Sequence, residues 1–564
     1  MILSLSFLMH IWLCTCAVRI GSFDIQSDDP PPTHVVPFAP GGHLCLIGGG
    51  RLTREIRSEF AQLGRAGQPD SLLVIIPTAS ESADDPNEDH TAAWDDAGFA
   101  RIEVLHTRDR NLADSEAFVA PLRQATAVWL GGGAQDKLAA AYAGTAVERI
   151  LQERLLDDCV VGGTSAGAAI ASRVMIAGGN EVPEMATGFD LLPNAILDQH
   201  FSQRNRQARL IAAISQHPFC IGLGLDEATA VIFHQRTMRI LGEGAAHVYL
   251  PATRFHSSEH IELKPNTPWL DWTTFVRTQR ERHQEPFPMS TAKPADESST
   301  LVESQTNRSV PKGRLLIVGG GSSDDIWRTF VEHSGGTKAK IVILPTAVPA
   351  EERPDSMTRS YEARVFKKLG VNDIHVLNQT DHATTNSNEF CDQLANATGI
   401  WFGGGRQWRF VDAYEGTRAI EAMYQCLERG GIIGGSSAGA SIQGELLIRG
   451  APVGNQIMVQ DGYRRGFGFL KGVGIDQHFA ERNRFLDLEQ TIRKHPSILG
   501  IGIDEATAIL VEKSQAQVLG AGSVYLYDAN QLPDATTDQP PAERPRQFVA
   551  GEAFDLRTVE KIPK

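Results

Sequence analysis

Two serines stand where a side-chain hydroxyl could act as a nucleophile. Ser165 lies in Gly163-Thr164-Ser165-Ala166-Gly167 and Ser437 in Gly435-Ser436-Ser437-Ala438-Gly439, 272 positions later (437 − 165). Each pentapeptide has the form G-x-S-x-G, follows an apolar run (Cys159-Val160-Val161 and Ile432-Ile433) and leads into small, helix-compatible residues. That is the pattern of a nucleophile elbow between strand and helix. The glycines suit a turn too tight for a neighbouring Cβ, and a serine at a helix N-terminus meets N–H groups and a dipole that favour an oxyanion. One such pentapeptide in a glycine-rich chain reads as an ordinary turn. Two in matching surroundings point to catalysis.

A nucleophilic serine needs a base and an acid to orient that base. Comparing the chain with itself supplies candidates. Asp198-Gln199-His200-Phe201, then Arg204-Asn205-Arg206, recurs as Asp476-Gln477-His478-Phe479, then Arg482-Asn483-Arg484. Gly224-Leu225-Asp226-Glu227-Ala228-Thr229-Ala230 recurs as Gly502-Ile503-Asp504-Glu505-Ala506-Thr507-Ala508. The histidines and the glutamates are both 278 apart (478 − 200 and 505 − 227), so these blocks move together, and six residues (278 − 272) are added between serine and histidine in the second copy.

His200 and His478 each end an apolar, strand-like run. For a lone histidine the better reading is a structural donor to a buried carbonyl. Recurrence within a polar block downstream of a candidate nucleophile favours a general base. Glu227 and Glu505 are candidates for the orienting acid, with the adjacent Asp226 and Asp504 as rivals and a helix N-cap carboxylate as the plain alternative. The order Ser…His…Glu differs from the Ser…Asp/Glu…His order of α/β-hydrolases, which argues against a lipase or esterase.

The elements that must position these groups are legible as short apolar runs ending in glycine or proline. His43–Ile47 before Gly48-Gly49-Gly50 matches Arg314–Val318 before Gly319-Gly320-Gly321. Leu72–Ile76 matches Lys340–Leu344, and Ala127–Leu130 before Gly131-Gly132-Gly133 matches Gly399–Phe402 before Gly403-Gly404-Gly405. Such runs, separated by helix-length segments such as 53–64, 87–98 and 135–157, predict parallel strands buried on both faces, with the site at their carboxyl ends. The period of about 270 residues excludes a solenoid, whose repeats span roughly 20–50 residues. The fold class expected is therefore α/β: two tandem three-layer α/β/α domains with mostly parallel sheets and a nucleophile-elbow serine in each.

The boundaries expected are a first domain over 41–285 and a second over 312–530. The first includes a covering segment with Trp269, Trp272 and Phe275. A Pro- and Ser-rich linker over 286–311 joins the domains, and a peripheral tail over 531–564 ends the chain. The first 20 residues hold an apolar stretch without Lys or Arg before Arg19. Its length suits a secretion signal that would send the protein to the periplasm or outside. The missing positive n-region leaves a misassigned start codon or a buried segment, and a cytoplasmic protein, as the competing reading.

The chain of 564 residues carries a formal charge of −15, which argues against a nucleic-acid partner because the phosphate backbone would be repelled. A hydrophobic content of 42% with a mean hydropathy of −0.19 describes a globular rather than a membrane-spanning chain. The seven cysteines (Cys14, Cys16, Cys45, Cys159, Cys220, Cys391 and Cys426) are scattered, odd in number and without C-x-x-C spacing. Neither a zinc site nor a disulfide framework is indicated, and no metal or other cofactor is expected.

Taken together, Gly162–Ala168, Asp198-Gln199-His200-Phe201 with its arginines, and Gly224–Glu227 resemble the cyanophycinases, serine peptidases related to α-aspartyl dipeptidase. The resemblance spans roughly 43–250 and again 314–527. It implies exopeptidase cleavage of cyanophycin, a β-Asp-Arg polymer, to β-Asp-Arg dipeptides through a triad falling on Ser165, His200 and Glu227. It also implies a substrate pocket of Gln135, Asp198, Gln199, Arg204, Arg206 and Arg209. The arginines would grip carboxylates of the polymer and Asp198 would accept from its guanidinium groups. A solvated basic helix face is the alternative for the arginines. Backbone N–H groups of Ala166 and Gly133 are the oxyanion donors expected, with Ala438 and Gly405 in the second copy.

The second copy keeps Ser437, His478, Glu505, Gln407, Asp476, Gln477, Arg482 and Arg484. It has Asp487 where the third arginine would stand (209 + 278), and Ser436 for Thr164. Its stretch Gly450–Lys471, with Arg464 and Arg465, also departs from Gly178–Asn194. The second half is expected either to act with another specificity or to complete an intramolecular dimer as an inactive partner. The rivals to a cyanophycin exopeptidase are a dipeptidase for α-aspartyl or isoaspartyl peptides and a binding module that holds an acidic peptide without chemistry. Class I amidotransferases resemble the elbow but use cysteine there, and both positions here are serine.

Overall fold

The computed structural model describes residues 39–288, 308–534 and 538–563. The leader expected as a signal and most of the expected linker, 289–307, lie outside the described residues. The chain divides between Gln284 and Glu285 into two compact units.

The main sheet of the first unit holds five parallel strands in the order Arg101–Val104, Leu72–Ile76, Ala127–Leu130, Val160–Thr164 and His43–Ile47. Antiparallel strands Thr229–His234, Thr237–Gly242 and Leu270–Asp271 extend it beyond His43–Ile47. A second, four-stranded sheet pairs Ala195–Gln199 in parallel with Ile221–Leu225, and a hairpin joins Val174–Gly178 to Glu184–Thr187. The second unit repeats the plan. Asp373–Val376, Lys340–Leu344, Gly399–Phe402, Ile432–Ser436 and Val310–Val318 are parallel, and Leu470–Gln477 pairs in parallel with Leu499–Ile503.

Why these runs are apolar at every position is visible in the second unit. Side chains alternate across a strand. Leu315 and Ile317 enter one core cluster while Leu316 and Val318 enter another; Val342 and Leu344 likewise part from Ile341 and Ile343. A sheet covered on both faces has no position left for a polar residue. The fold is thus mixed α/β with mostly parallel sheets.

Three expectations need correction. Residues 87–98 form turns rather than a helix. Pro86 precedes them, and Asp85 and Asp89 accept from the N–H groups of Asn87 and Thr91, so side chains bind the backbone where a helical turn would have used it. The segment 135–157 is two helices, Gln135–Tyr142 and Ala146–Leu156, parted at Gly144 with φ of 75°. The tail over 531–564 is not peripheral. Arg546–Val549 pairs with Ser523–Tyr527 and Ala553–Asp555 with Gln515–Gly520, burying Phe548 and Phe554. Its Pro-rich start hid the apolar residues that follow.

At the other end of the second unit, Phe287 lies in a core cluster with Phe479 and Phe485 and packs edge-on to His495. The beginning of the expected linker therefore belongs to that unit. In the first unit Trp272 is buried against Phe233, while Trp269 is half-exposed.

Candidate active site

Ser165 and Ser437 directly follow the strands Val160–Thr164 and Ile432–Ser436, with φ of 51° and 57°. Such positive φ values cost a non-glycine residue about 1–3 kcal/mol, and surrounding structure must hold them. The flanking glycines allow it. A Cβ on Gly163 would strike the carbonyl of Gly167, and one on Gly167 the carbonyl of Leu130; Gly435 and Gly439 are confined in the same way by Gly439 and Phe402. The helix expected after each serine is a single turn, Ala166–Ala169 and Ala438–Ser441. A long macrodipole is therefore absent, and the local N–H groups are what could meet an anion. Beside Ser165 runs the loop Gly131-Gly132-Gly133, where a Cβ on Gly132 would lie 3.7 Å from that of Ser165. Gly404 stands in the same relation to Ser437, also at 3.7 Å.

His200 and His478 follow the strands Ala195–Gln199 and Leu470–Gln477 and have φ of 50° and 51°. Their backbone N–H groups donate to Gly48 O at 2.7 Å and Gly319 O at 2.8 Å. The imidazoles lie against Gly49 and Gly320, where any Cβ would overlap the ring. The repeated glycine triplet after the first strand of each half thus seats the histidine. The sequence places the triplet at a strand's carboxyl end, on the side of the site, without showing that it meets the ring.

The hydrogen bonds connect in series. Ser165 Oγ lies 2.8 Å from His200 Nε2, and His200 Nδ1 lies 2.6 Å from Glu227 Oε1. In the second unit Ser437 Oγ lies 2.9 Å from His478 Nε2, and His478 Nδ1 lies 2.6 Å from Glu505 Oε1. A carboxylate only accepts, so Nδ1 carries the hydrogen and Nε2 is left to accept from the serine. Glu227 is thereby the acid that touches the histidine. Asp226 instead accepts from the N–H groups of Ser202 and Ala245 and pins the turn, as Asp504 does with Ala480 and Ser523. No helix follows either Asp-Glu pair; strands Thr229–His234 and Thr507–Lys513 do.

Burial lowers both histidines below the ordinary value of 6.5. The glutamate opposes that shift, and Arg204 and Arg206, or Arg482 and Arg484, reinforce it. A neutral imidazole is the form that can take a proton. At Asp226, burial works against the charge, but hydrogen bonds from Ser202 and Ala245, with His247 nearby, more than offset it and hold the carboxyl low. At Asp504 burial prevails and the carboxyl is raised, Tyr525 standing where His247 does.

The residues expected to form a substrate pocket divide into buried groups bonded within the protein and groups left open. Gln135 donates its side-chain amide to Ile176 O at 2.9 Å and Ala177 O at 3.0 Å, and Gln407 donates to Ile448 O at 2.7 Å. These buried amides tie a helix start to the strand Val174–Gly178 in the first unit and to the turn after Gly444–Leu446 in the second. Asp198 and Asp476 are 0% exposed. Asp198 accepts from Arg206 Nη1 at 3.3 Å, from Arg209 Nε at 2.9 Å and from Arg209 Nη2. Its oxygens are therefore engaged within the protein rather than open to a substrate guanidinium. Removing one partner of such a buried pair costs about 3–5 kcal/mol.

Arg206 Nη1 also donates to Gln199 O at 2.6 Å, and Arg484 Nη1 to Gln477 O at 2.7 Å, in each case just before the histidine. Gln199 is buried with its Oε1 unpartnered, whereas Gln477 Oε1 accepts from Arg484 at 3.1 Å. Arg204 and Arg482 are exposed. One residue of the second cluster went unseen in the sequence: Arg449, which donates from Nε to both oxygens of Asp476 at 3.1 Å. It stands at the position of Ala177 (449 − 272).

Among the described residues, no group of three or more His, Cys, Asp or Glu is arranged to hold a metal ion, and no helix is long and apolar enough to cross a membrane.

The duplicated sequence has counterparts in known proteins. The sequence model of peptidase family S51 matches residues 44–241 and again 315–519. The chain belongs to peptidase family S51. It is a serine-type peptidase, and one match falls within each unit. Similar relatives within the family include the cyanophycinase of Synechococcus elongatus, 38% identical over 235 residues that cover 39% of this chain and 72% of the relative. The cyanophycinase of a Nostoc species is 36% identical over 250 residues, covering 43% of this chain and 82% of the relative. Among solved structures, a peptidase from an acI-B1 actinobacterium aligns with 44% of this chain and 98% of its own, at 22% identity and a TM-score of 0.34.

Proposed function

We propose that the chain is an exopeptidase of cyanophycinase type that releases β-Asp-Arg dipeptides from cyanophycin. The observation that carries this reading is the hydrogen-bonded series from Ser165 through His200 to Glu227, at 2.8 and 2.6 Å, in an S51 chain similar to cyanophycinases. In the reaction Ser165 Oγ attacks the scissile carbonyl while His200 Nε2 takes its proton. Glu227 keeps the hydrogen on Nδ1 and stabilises the imidazolium. The N–H groups of Gly133 and Ala166 receive the oxyanion. His200 then passes its proton to the leaving amine, and water, deprotonated by the same histidine, hydrolyses the acyl-enzyme. Ser437, His478 and Glu505, with Gly405 and Ala438, perform the same steps in the second half.

The buried Asp198 cluster serves in this scheme to hold the histidine backbone. The exposed Arg204 and the unpartnered oxygen of Gln199 remain as groups for the substrate. The test compares the wild type, Ser165→Ala, Ser437→Ala and the double variant on cyanophycin and on isoaspartyl dipeptides. A partial loss of β-Asp-Arg release in each single variant, and complete loss when both serines are replaced, supports the reading; release unchanged in both would overturn it. Hydrolysis of dipeptides with none of the polymer would transfer the assignment to a dipeptidase, and binding without turnover in the wild type would make the chain an acidic-peptide binder.

A further inference from the structure

The Asp198 and Asp476 clusters reach the same arrangement with different residues. In the first half, the second guanidinium on the buried aspartate comes from Arg209, in the helix Gln207–Gln216, eleven residues after Asp198. In the second half, the equivalent helix position is Asp487 (209 + 278), which cannot donate to a carboxylate. The guanidinium arrives instead from Arg449, 27 residues before Asp476. Arg449 also donates from Nη2 to Asp487 Oδ2 at 2.8 Å and from Nη1 to Asn455 O at 2.9 Å. Arg209 makes the matching loop contact through Nη1 to Gly179 O at 2.6 Å. Both arginines are almost fully buried.

We propose that Arg449 is the positioning residue of the second site, holding Asp476 as Arg209 holds Asp198, and that Asp487 occupies the vacated arginine position as its partner. The exchange matters for chemistry because of what Asp476 holds. Its Oδ1 accepts from the N–H of Gln477 at 3.1 Å and from Arg484 Nη1 at 2.6 Å, and Arg484 in turn grips the carbonyl of Gln477. The next residue is His478, whose φ of 51° must be imposed by its surroundings. A buried carboxylate that lost Arg449 would turn or draw in water, and the histidine would move off Ser437. The change from arginine to Asp487 is thus a relocation of one charge, and the second half retains the support its histidine needs.

The inference rests on Ser437 being a nucleophile, and the test separates the two. In the full-length Ser165→Ala protein, a fluorophosphonate reports the reactivity of Ser437 directly, without a chosen substrate. Arg449→Ala is expected to slow labelling about 10–100-fold, the scale of a reacting group displaced by about an ångström. It should also move the acid midpoint of the labelling rate, because His478 sits differently. The exchange Arg449→Ala with Asp487→Arg, which rebuilds the first half's arrangement, should restore most of the rate. Arg449→Lys keeps the charge without the fork and should fall between, which covers the case in which Arg449→Ala does not fold. Labelling of Arg449→Ala at the parent rate, or a double variant no faster than the single one, would overturn the proposal. Absence of Ser437 labelling in the Ser165→Ala parent would overturn both this inference and a second active site, while labelling of Ser165 in Ser437→Ala would leave the first site's assignment standing.

Discussion

The two halves agree in the line of atoms from serine to glutamate and part company in what stands behind the histidine. The distances along that line are 2.8 and 2.6 Å in one half and 2.9 and 2.6 Å in the other. Behind it, one aspartate faces two arginines in the first half, and two aspartates face two arginines in the second. The turn that carries the glutamate is held by Gln203 in one half and by Glu481 in the other. Direct reaction geometry tolerates little change, since a displacement of about an ångström costs about a hundredfold. A supporting cluster tolerates a change of residues, provided the buried charge remains paired and the backbone remains gripped.

The largest effect that could break this comparison is at the nucleophile. Replacing Ser165 or Ser437 by alanine is expected to lower turnover at that site about a millionfold and to leave labelling of the other serine unchanged. Loss of all activity in one variant and none in the other would show that one half alone turns over substrate. Next, Glu227→Gln and Glu505→Gln should each reduce kcat at their own site about ten-thousandfold, because an amide can donate to Nδ1 and select the wrong tautomer. An unchanged kcat in either would remove that glutamate from the reaction.

A smaller effect is expected from the glycines that seat the histidines. Gly49→Ala and Gly320→Ala place a methyl within the imidazole's space, and each should cost its half about a hundredfold in kcat with little change in KM. A loss of equal size in both halves would extend the match between them to the turn that carries the ring. The smallest effect concerns pH. Both histidines titrate below 6.5 because they are buried, so activity should be lost on acidification only below that value, as the imidazole gains a proton. Arg204 and Arg482 push the same way, so Arg204→Ala and Arg482→Ala should each raise the acid midpoint of their own site. A midpoint that falls or stays would place those arginines too far from the ring to act.

Much of the site could be read from spacing. The elbow glycines are required by carbonyls that approach too closely for a Cβ, and the same requirement acts in both halves, so it leaves the same letters twice. The histidine and glutamate moved together at one offset for a similar reason. The choice between Glu227 and Asp226 was not available in that way. The two are adjacent and chemically alike, and only the turn after Leu225 decides which carboxylate meets the ring. The surroundings of Asp198 were hidden because composition shows that a carboxylate is present without showing that two arginines engage it. Residues 87–98 misled for a local reason, since their aspartates cap the backbone in turns that compete with a helix.

What the amino-acid order determined by itself is the tandem α/β plan and the types of the reacting groups. Apolar runs and glycine-flanked serines leave their mark within short stretches of the chain, whatever distant group imposes it. What only the tertiary structure decided is which charges meet. Arg449 reaches Asp476 across 27 residues and replaces an arginine that stood on another element, because a buried carboxylate requires a donor at its oxygens and is indifferent to where in the chain that donor begins.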